Sequence, residues 1–135
     1  RDIIEKQLGK GVVEQLPDGA VVGRLEEKYG VPDVVLLRSD GTSLYHTQDV
    51  YLTLQKIEKF DPWRAVWVVG NEQIAHFQQL FALLDALGIL DLEKVYHLAY
   101  GIVVDPQGER IGKKSAGVTA DAILDQMRDL SLIHI

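Results

Sequence analysis

Apolar residues at Ile3, Ile4 and Leu8, followed by Gly9, fall at helical spacing and predict the last turns of a helix with a glycine stop. Two β-rich runs, 12–16 and 20–25, flank Pro17-Asp18-Gly19 and predict a hairpin. Residues 26–30 read as a polar turn. Val34-Val35-Leu36-Leu37 is a continuous apolar run of the kind found in strands buried on both faces. After the Ser39-Asp40-Gly41-Thr42 turn, Val50, Leu54 and Ile57 fall at helical spacing with Tyr51 beside them, and Phe60-Asp61-Pro62 closes that helix. Ala65-Val66-Trp67-Val68-Val69 is a second buried-type strand ending at Gly70. Ile74, Phe77, Leu80, Phe81, Leu84 and Leu87 then mark a long amphipathic helix stopped by Gly88. A strand is expected over 95–104, a turn at Asp105-Pro106-Gln107-Gly108, and a last helix from Thr119 with Ile123, Leu124, Met127 and Leu130 on one face.

After the hairpin the order is β-α-β-α-β-loop-α. Such alternation predicts an α/β fold with a parallel sheet and helices packed on it. Ligands in such sheets sit beyond the carboxyl ends of the strands, which directs attention to the residues after Leu37, Val69 and Val104.

Composition narrows the function classes. The 135 residues are 47% hydrophobic and 25% charged, enough for a buried core. There is no cysteine, so disulfides and thiolate metal sites are excluded. The remaining histidines, His46, His97 and His134, form no H-x-x-x-H pair, and no metal site is expected. The net charge of −6 disfavours a broad basic face for nucleic acid. No apolar run approaches the roughly 20 residues that span a bilayer. Residues 1–10 are charged and lack a signal-peptide pattern, so a cytoplasmic protein without a membrane partner is expected.

Three strand ends carry candidate chemistry. After Val69, Gly70 permits close approach to the backbone, Asn71 suits an N-cap, Gln73 can read an amide or guanidinium edge, and His76 lies one turn further on. A capped surface helix with solvated side chains explains the same spacing. After Leu37, Tyr45 and Asp49 stand four apart, and a carboxylate beside a phenol suits a cation; Asp49 could grip a guanidinium with two hydrogen bonds. A capping Asp at a helix start is the plainer alternative. The 108–117 stretch holds three cations and three glycines, as a phosphate-binding loop or a solvated basic loop would, but falls one residue short of a P-loop frame.

The string Leu36-Leu37-Arg38-Ser39-Asp40-Gly41-Thr42-Ser43-Leu44-Tyr45-His46-Thr47-Gln48-Asp49 closely resembles the signature of class I arginyl-tRNA synthetases. So does Val68-Val69-Gly70-Asn71-Glu72-Gln73 followed by His76-Phe77-Gln78-Gln79-Leu80-Phe81. Tyr96-His97-Leu98-Ala99-Tyr100-Gly101-Ile102-Val103 is similar to that family's next strand. The resemblance covers roughly residues 10–128 and implies the second half of a Rossmann-type parallel sheet with packed helices. A small β-hairpin from the family's connecting insertion would precede it. Residues 1–30 would then close the insertion, 31–129 would be the half-domain with its loop at 108–117, and 130–135 would be a non-native tail.

The implied activity is an arginine–tRNA ligase that activates L-arginine with ATP and transfers it to tRNA(Arg). The family's arginine-holding Tyr, Asp and Gln fall on Tyr45, Asp49 and Gln73. His76 would touch the nucleotide, and the backbone around Gly101, Ile102 and Val103 would border the adenine. ATP would bring Mg2+ on its phosphates. The family's K-M-S-K-S-type loop follows a P-x-G turn, here Pro106-Gln107-Gly108. This chain departs from it, with Glu109-Arg110-Ile111 in place of Lys-Met-Ser and Ser115-Ala116 in place of Gly-Thr. Lys113 and Lys114 keep two cations for the phosphates as the catalytic pair. The family's H-I-G-H motif and its anticodon-binding domain are not in the sequence, so this piece is expected to be inactive alone and to leave most tRNA contacts to other parts. The changed loop also fits a non-catalytic module that binds arginine or nucleotide.

Overall fold

The computed structural model describes residues 2–6, 8, 11–102, 104, 108, 110 and 119–133. The expected glycine stop at Gly9 lies outside them. Two units are distinguished, Arg1–Tyr100 and Gly101–Ile135.

In the first unit a short helix α1 (Asp2–Glu5) precedes the hairpin of β1 (Val13–Gln15) and β2 (Val21–Gly23). These strands pair antiparallel, with Val13 opposite Gly23. The turn closes because the Asp18 carboxylate accepts the Ala20 N–H at 3.0 Å and Gly19 takes φ +91°. Residues 26–29 form a four-residue helix α2 (Glu26–Tyr29) where a polar turn was expected. Its cause is not local periodicity. The Asp33 carboxylate folds back to accept the N–H groups of Leu25 at 2.7 Å and Glu26 at 3.1 Å, and Gly30 ends the turn at φ +66°. Those bonds and the Arg24 guanidinium hold Asp33 below the usual carboxylate range, the guanidinium being the larger influence.

Strand β3 (Val34–Leu37) follows, then helix α3 (Tyr45–Phe60), β4 (Ala65–Gly70), a 3-10 turn (Asn71–Gln73), helix α4 (Ile74–Ala86) and β5 (Val95–Tyr100). The helix and strand positions follow the hydrophobic pattern closely, and Asp61 in the left-handed region at φ 40° stops α3 where the Phe-Asp-Pro sequence predicted. β4 and β5 pair parallel in unbroken register from Ala65↔Val95 to Gly70↔Tyr100, a βαβ unit with α4 as the crossover.

β3 differs from the simple reading of the β-α alternation. It pairs antiparallel with β2, so the hairpin becomes a three-stranded sheet in the order β1-β2-β3. The packing is close at Gly23, where a Cβ would come within 3.2 Å of both Val34 and Leu83 and would press on them. The strands are also not buried on both faces. Val35 is exposed on β3, and Val66, Val68, Tyr96 and Leu98 are exposed along one face of β4 and β5.

The core lies where α4 meets both sheets. Leu80, Leu83 and Leu84 are fully buried beside Leu25, Leu36 and Val50. From β4, Trp67 meets Phe77 and Phe81 at ring-centroid distances of 6.2 and 5.1 Å. Ala82 and Leu83 extend the buried face of α4 beyond its expected stripe, while Ile74 is exposed. Across the unit, the Tyr29 hydroxyl donates to Asp85 at 2.6 Å and ties α2 to α4.

In the second unit, a bridge between Val104 and Arg110 spans a turn at Gly108, which takes φ +83°. Helix α5 (Ala120–Ile133) starts as expected at Thr119, whose hydroxyl accepts the Ala122 N–H at 3.1 Å. No helix of the described residues is long and apolar enough to cross a membrane.

Candidate functional site

The site begins at the end of β3. Asp40 accepts the N–H of Thr42 at 2.9 Å and its hydroxyl at 2.7 Å, while Gly41 turns at φ +78°. These bonds, the backbone one first, hold the Asp40 carboxyl below its usual range. The turn brings Ser43 back beside Leu37 and lands the start of α3 on the strand it has just left. There the Leu36 carbonyl accepts two hydrogen bonds, from the Leu44 N–H at 3.2 Å and from the buried Thr47 hydroxyl at 2.6 Å. Asp49 stands two residues beyond this anchor. Removing the hydroxyl as Thr47→Val should cost about 1 kcal/mol in urea denaturation, and Thr47→Ser should recover most of it.

The start of α4 is built by Gly70 and the 3-10 turn. At Gly70 the Glu72 carboxylate folds over the position that a Cβ would take, so a side chain there would displace it. Asn71 does not act as the N-cap expected of it. It opens the 3-10 turn, and no side chain caps either that turn or α4. The chain enters the helix through the tighter turn, which uses backbone bonds instead.

The two helix starts meet through Asp49 and His76. Nε2 of His76 lies 2.7 Å from Oδ2 of Asp49. A carboxylate only accepts, so Nε2 carries the proton. Asp49 is therefore not a helix cap; its side chain is 36% exposed and reaches across to the neighbouring helix. His46, one turn before Asp49, stacks on His76 with centroids 4.3 Å apart. Its Nε2 is buried without a hydrogen-bond partner among the described residues. Burial, and next the neighbouring His76, push the His46 imidazole below its ordinary value of 6.5, although the His76 backbone and Asp49 pull the other way. Phe77 packs edge-on to His76 at 5.3 Å and against His97 of β5 at 4.4 Å, and His97 Nε2 donates to the Val69 carbonyl at 2.9 Å.

Of the expected site residues, the structure brings Asp49 and His76 together. Tyr45 occupies the first position of α3, one turn from Asp49, with its ring 78% exposed. Gln73 closes the 3-10 turn and is exposed. No hydrogen bond among the described residues ties either side chain. Gly101 and Ile102 follow β5 in the second unit, exposed. Val103, Lys113 and Lys114 lie outside the described residues. His46 was set aside in the sequence for want of metal-ligand spacing. Its separation of three from Asp49 was the signal that could have found it. No group of three or more His, Asp or Glu side chains among the described residues gathers as a metal cage. Depressions of about 470 Å³ lie along the hairpin, one lined by Leu8, Val13 and Gln15, and contain none of the candidate residues.

Comparisons with known proteins agree with the resemblance. A family model described as tRNA synthetases class I (R), catalytic domain, matches residues 1–135. The arginine–tRNA ligase of Flavobacterium psychrophilum is 38% identical over 128 residues, 94% of this chain and 21% of the relative. That of Treponema denticola is 38% identical over 135 residues, all of this chain and 23% of the relative. The chain thus spans about a fifth of the length of these curated relatives. Among solved structures, the arginyl-tRNA synthetase of Thermus thermophilus aligns with a TM-score of 0.69 at 21% identity, covering 98% of this chain and 29% of the other. That of Plasmodium falciparum gives 0.63 at 18%, covering 97% and 21%. At such identities the structural likeness speaks for the fold, while the family model and the curated relatives speak for descent. The chain belongs to the class I arginyl-tRNA synthetase catalytic-domain family.

Proposed function

We propose that this chain supplies the arginine pocket and part of the ATP site of a cytoplasmic arginine–tRNA ligase. Asp49 is the observation that carries the reading. Its carboxylate stands partly open at the meeting of two helix starts, held by a single imidazole donor and by no Lys or Arg among the described residues. An anion left in that state has lone pairs free for a planar cation. Guanidinium fits it with two parallel charge-assisted bonds, which the ammonium of lysine does not reproduce. Tyr45 and Gln73, at the starts of the same two helices, would complete the amino-acid contacts.

In the first step the arginine carboxylate attacks the α-phosphorus of ATP. A new P–O bond forms, the α–β anhydride breaks, and pyrophosphate leaves with its electron pair. In the second, a terminal ribose hydroxyl of tRNA(Arg) attacks the arginyl carbonyl and AMP departs. Lys113 and Lys114 would offset the phosphate charge that grows in the first step. His76 and the backbone of Gly101, Ile102 and Val103 would border the nucleotide. Mg2+ would arrive on the ATP phosphates, as this ion commonly does. The net charge of −6 favours leaving most tRNA contacts to regions of the ligase outside this chain.

The reading is tested with the full-length polypeptide that contains this chain, by arginine-dependent pyrophosphate exchange. L-citrulline, which keeps the shape of arginine but replaces the cation with a neutral urea, should compete about 100-fold more weakly than arginine. Competition by citrulline at arginine-like concentrations would remove the charge-recognition argument.

A further inference from the structure

We propose that His76 is a positioning residue for the Asp49 carboxylate, that His46 sets the His76 ring, and that arginine capture therefore weakens when either side chain can no longer hold that geometry. This rests on the reading of Asp49 as the guanidinium acceptor and adds a control on it.

The geometry is a chain of three side chains from two helices. Nε2 of His76 donates to Oδ2 of Asp49 at 2.7 Å. One lone pair of Oδ2 is thereby used, and its second lone pair and Oδ1 are left for the two bonds of a guanidinium. The His76 ring is in turn confined by His46 at 4.3 Å on one contact and by Phe77 at 5.3 Å on another. Its side chain is only 22% exposed, so the ring has few other rotamers in which to wait. The charged and titratable groups around it are Asp49 and His46 from α3, and Glu72 four residues ahead on its own segment. His97 of β5 touches the same Phe77 ring.

The orientation of the carboxylate decides what a guanidinium meets. The His76 N–H fixes the plane of the Asp49 carboxylate, so an arriving cation meets lone pairs already set in place and the carboxylate has no rotamer left to select. His46 is suited to the supporting place because burial disfavours its charged form, which keeps a second cation away from the pocket at neutral pH. Stacked neutral rings of this kind orient without adding charge.

The experiment measures KM for arginine and for ATP by pyrophosphate exchange with the full-length polypeptide at a single pH of about 8. His76→Ala, which removes the donor, should raise the arginine KM about 10-fold, and His76→Gln, whose amide can still donate to the carboxylate, should recover most of that rise. The ATP KM, read in the same runs, reports separately on the nucleotide contact proposed for His76. His46→Ala should raise the arginine KM about 3-fold, the size of a weak positioning contact, with kcat little altered. His46→Phe, which restores a ring against His76, should reverse most of that rise. Circular dichroism of each variant separates misfolding from loss of positioning, and His46→Ala serves as the second arm if His76→Ala fails to fold. An arginine KM in His76→Ala equal to the parent's overturns the proposal. The same assay run on Asp49→Asn tells the two failures apart. An unchanged arginine KM there means that the pocket reading itself is wrong, whereas a raised KM with a parental arginine KM in His76→Ala removes only the role of His76.

Discussion

Asp49→Asn should raise the arginine KM of the full-length polypeptide that contains this chain about 30-fold while leaving the ATP KM within about twofold. The substitution keeps the shape of the side chain and still offers one acceptor, so the loss is mainly that of charge. Truncating one partner of a buried, hydrogen-bonded charge pair costs 2–5 kcal/mol, and the Asp49 side chain is 36% exposed, which puts the effect at the lower end, about 2 kcal/mol. The split between substrates is what makes the result diagnostic. A residue that only held α3 against α4 would disturb both substrates or neither. Steady-state pyrophosphate exchange with each substrate varied in turn reads the split directly, and equal changes in both constants would reassign Asp49 to a structural role.

Leu83→Ala should lower the stability by about 3 kcal/mol, read as a fall in the urea midpoint with an unchanged slope. Leu83 is fully buried, and one of its methyl groups would lie 3.2 Å from a Cβ built on Gly23. The same position would meet Val34 at 3.2 Å and Leu36 at 3.6 Å. The side chain thus fills the place where α4 is pressed onto β2 and β3, with no slack into which the sheet could collapse. Leu83→Met, which keeps the volume, should cost less than about 1.5 kcal/mol. A cost for alanine below about 1 kcal/mol would mean that the α4–sheet contact is looser than its geometry implies.

Much of the site was legible in the sequence, for reasons that differ from residue to residue. Asp49 stood out because an acid four residues from a tyrosine has a plain chemical use. Gly70 stood out because glycine after an apolar run marks a bend, and the Glu72 carboxylate lies over the position that a Cβ would take. The cap assigned to Asn71 was wrong because a helix start can be made by a 3-10 turn whose backbone leaves nothing for a side chain to satisfy. His46 is silent in the sequence because its spacing suits no metal and packing between rings on two helices has no local signature. α2 reads as a turn because its stabilising carboxylate, Asp33, comes from beyond its end.

Hydrophobic periodicity alone determined where α3, α4, β4 and β5 run, since each buries one stripe or one face whatever lies opposite. The order of the signature residues determined the family. Only the tertiary structure decided that β3 joins the hairpin and not the parallel pair, because strand pairing is a choice among competing edges that local pattern does not rank. Only the tertiary structure brought Nε2 of His76 to the Asp49 carboxylate across 27 residues of chain. A spacing of that length carries no local energy. The contact exists because the starts of α3 and α4 meet, one held by the Leu36 carbonyl and the other entered from β4 through the 3-10 turn.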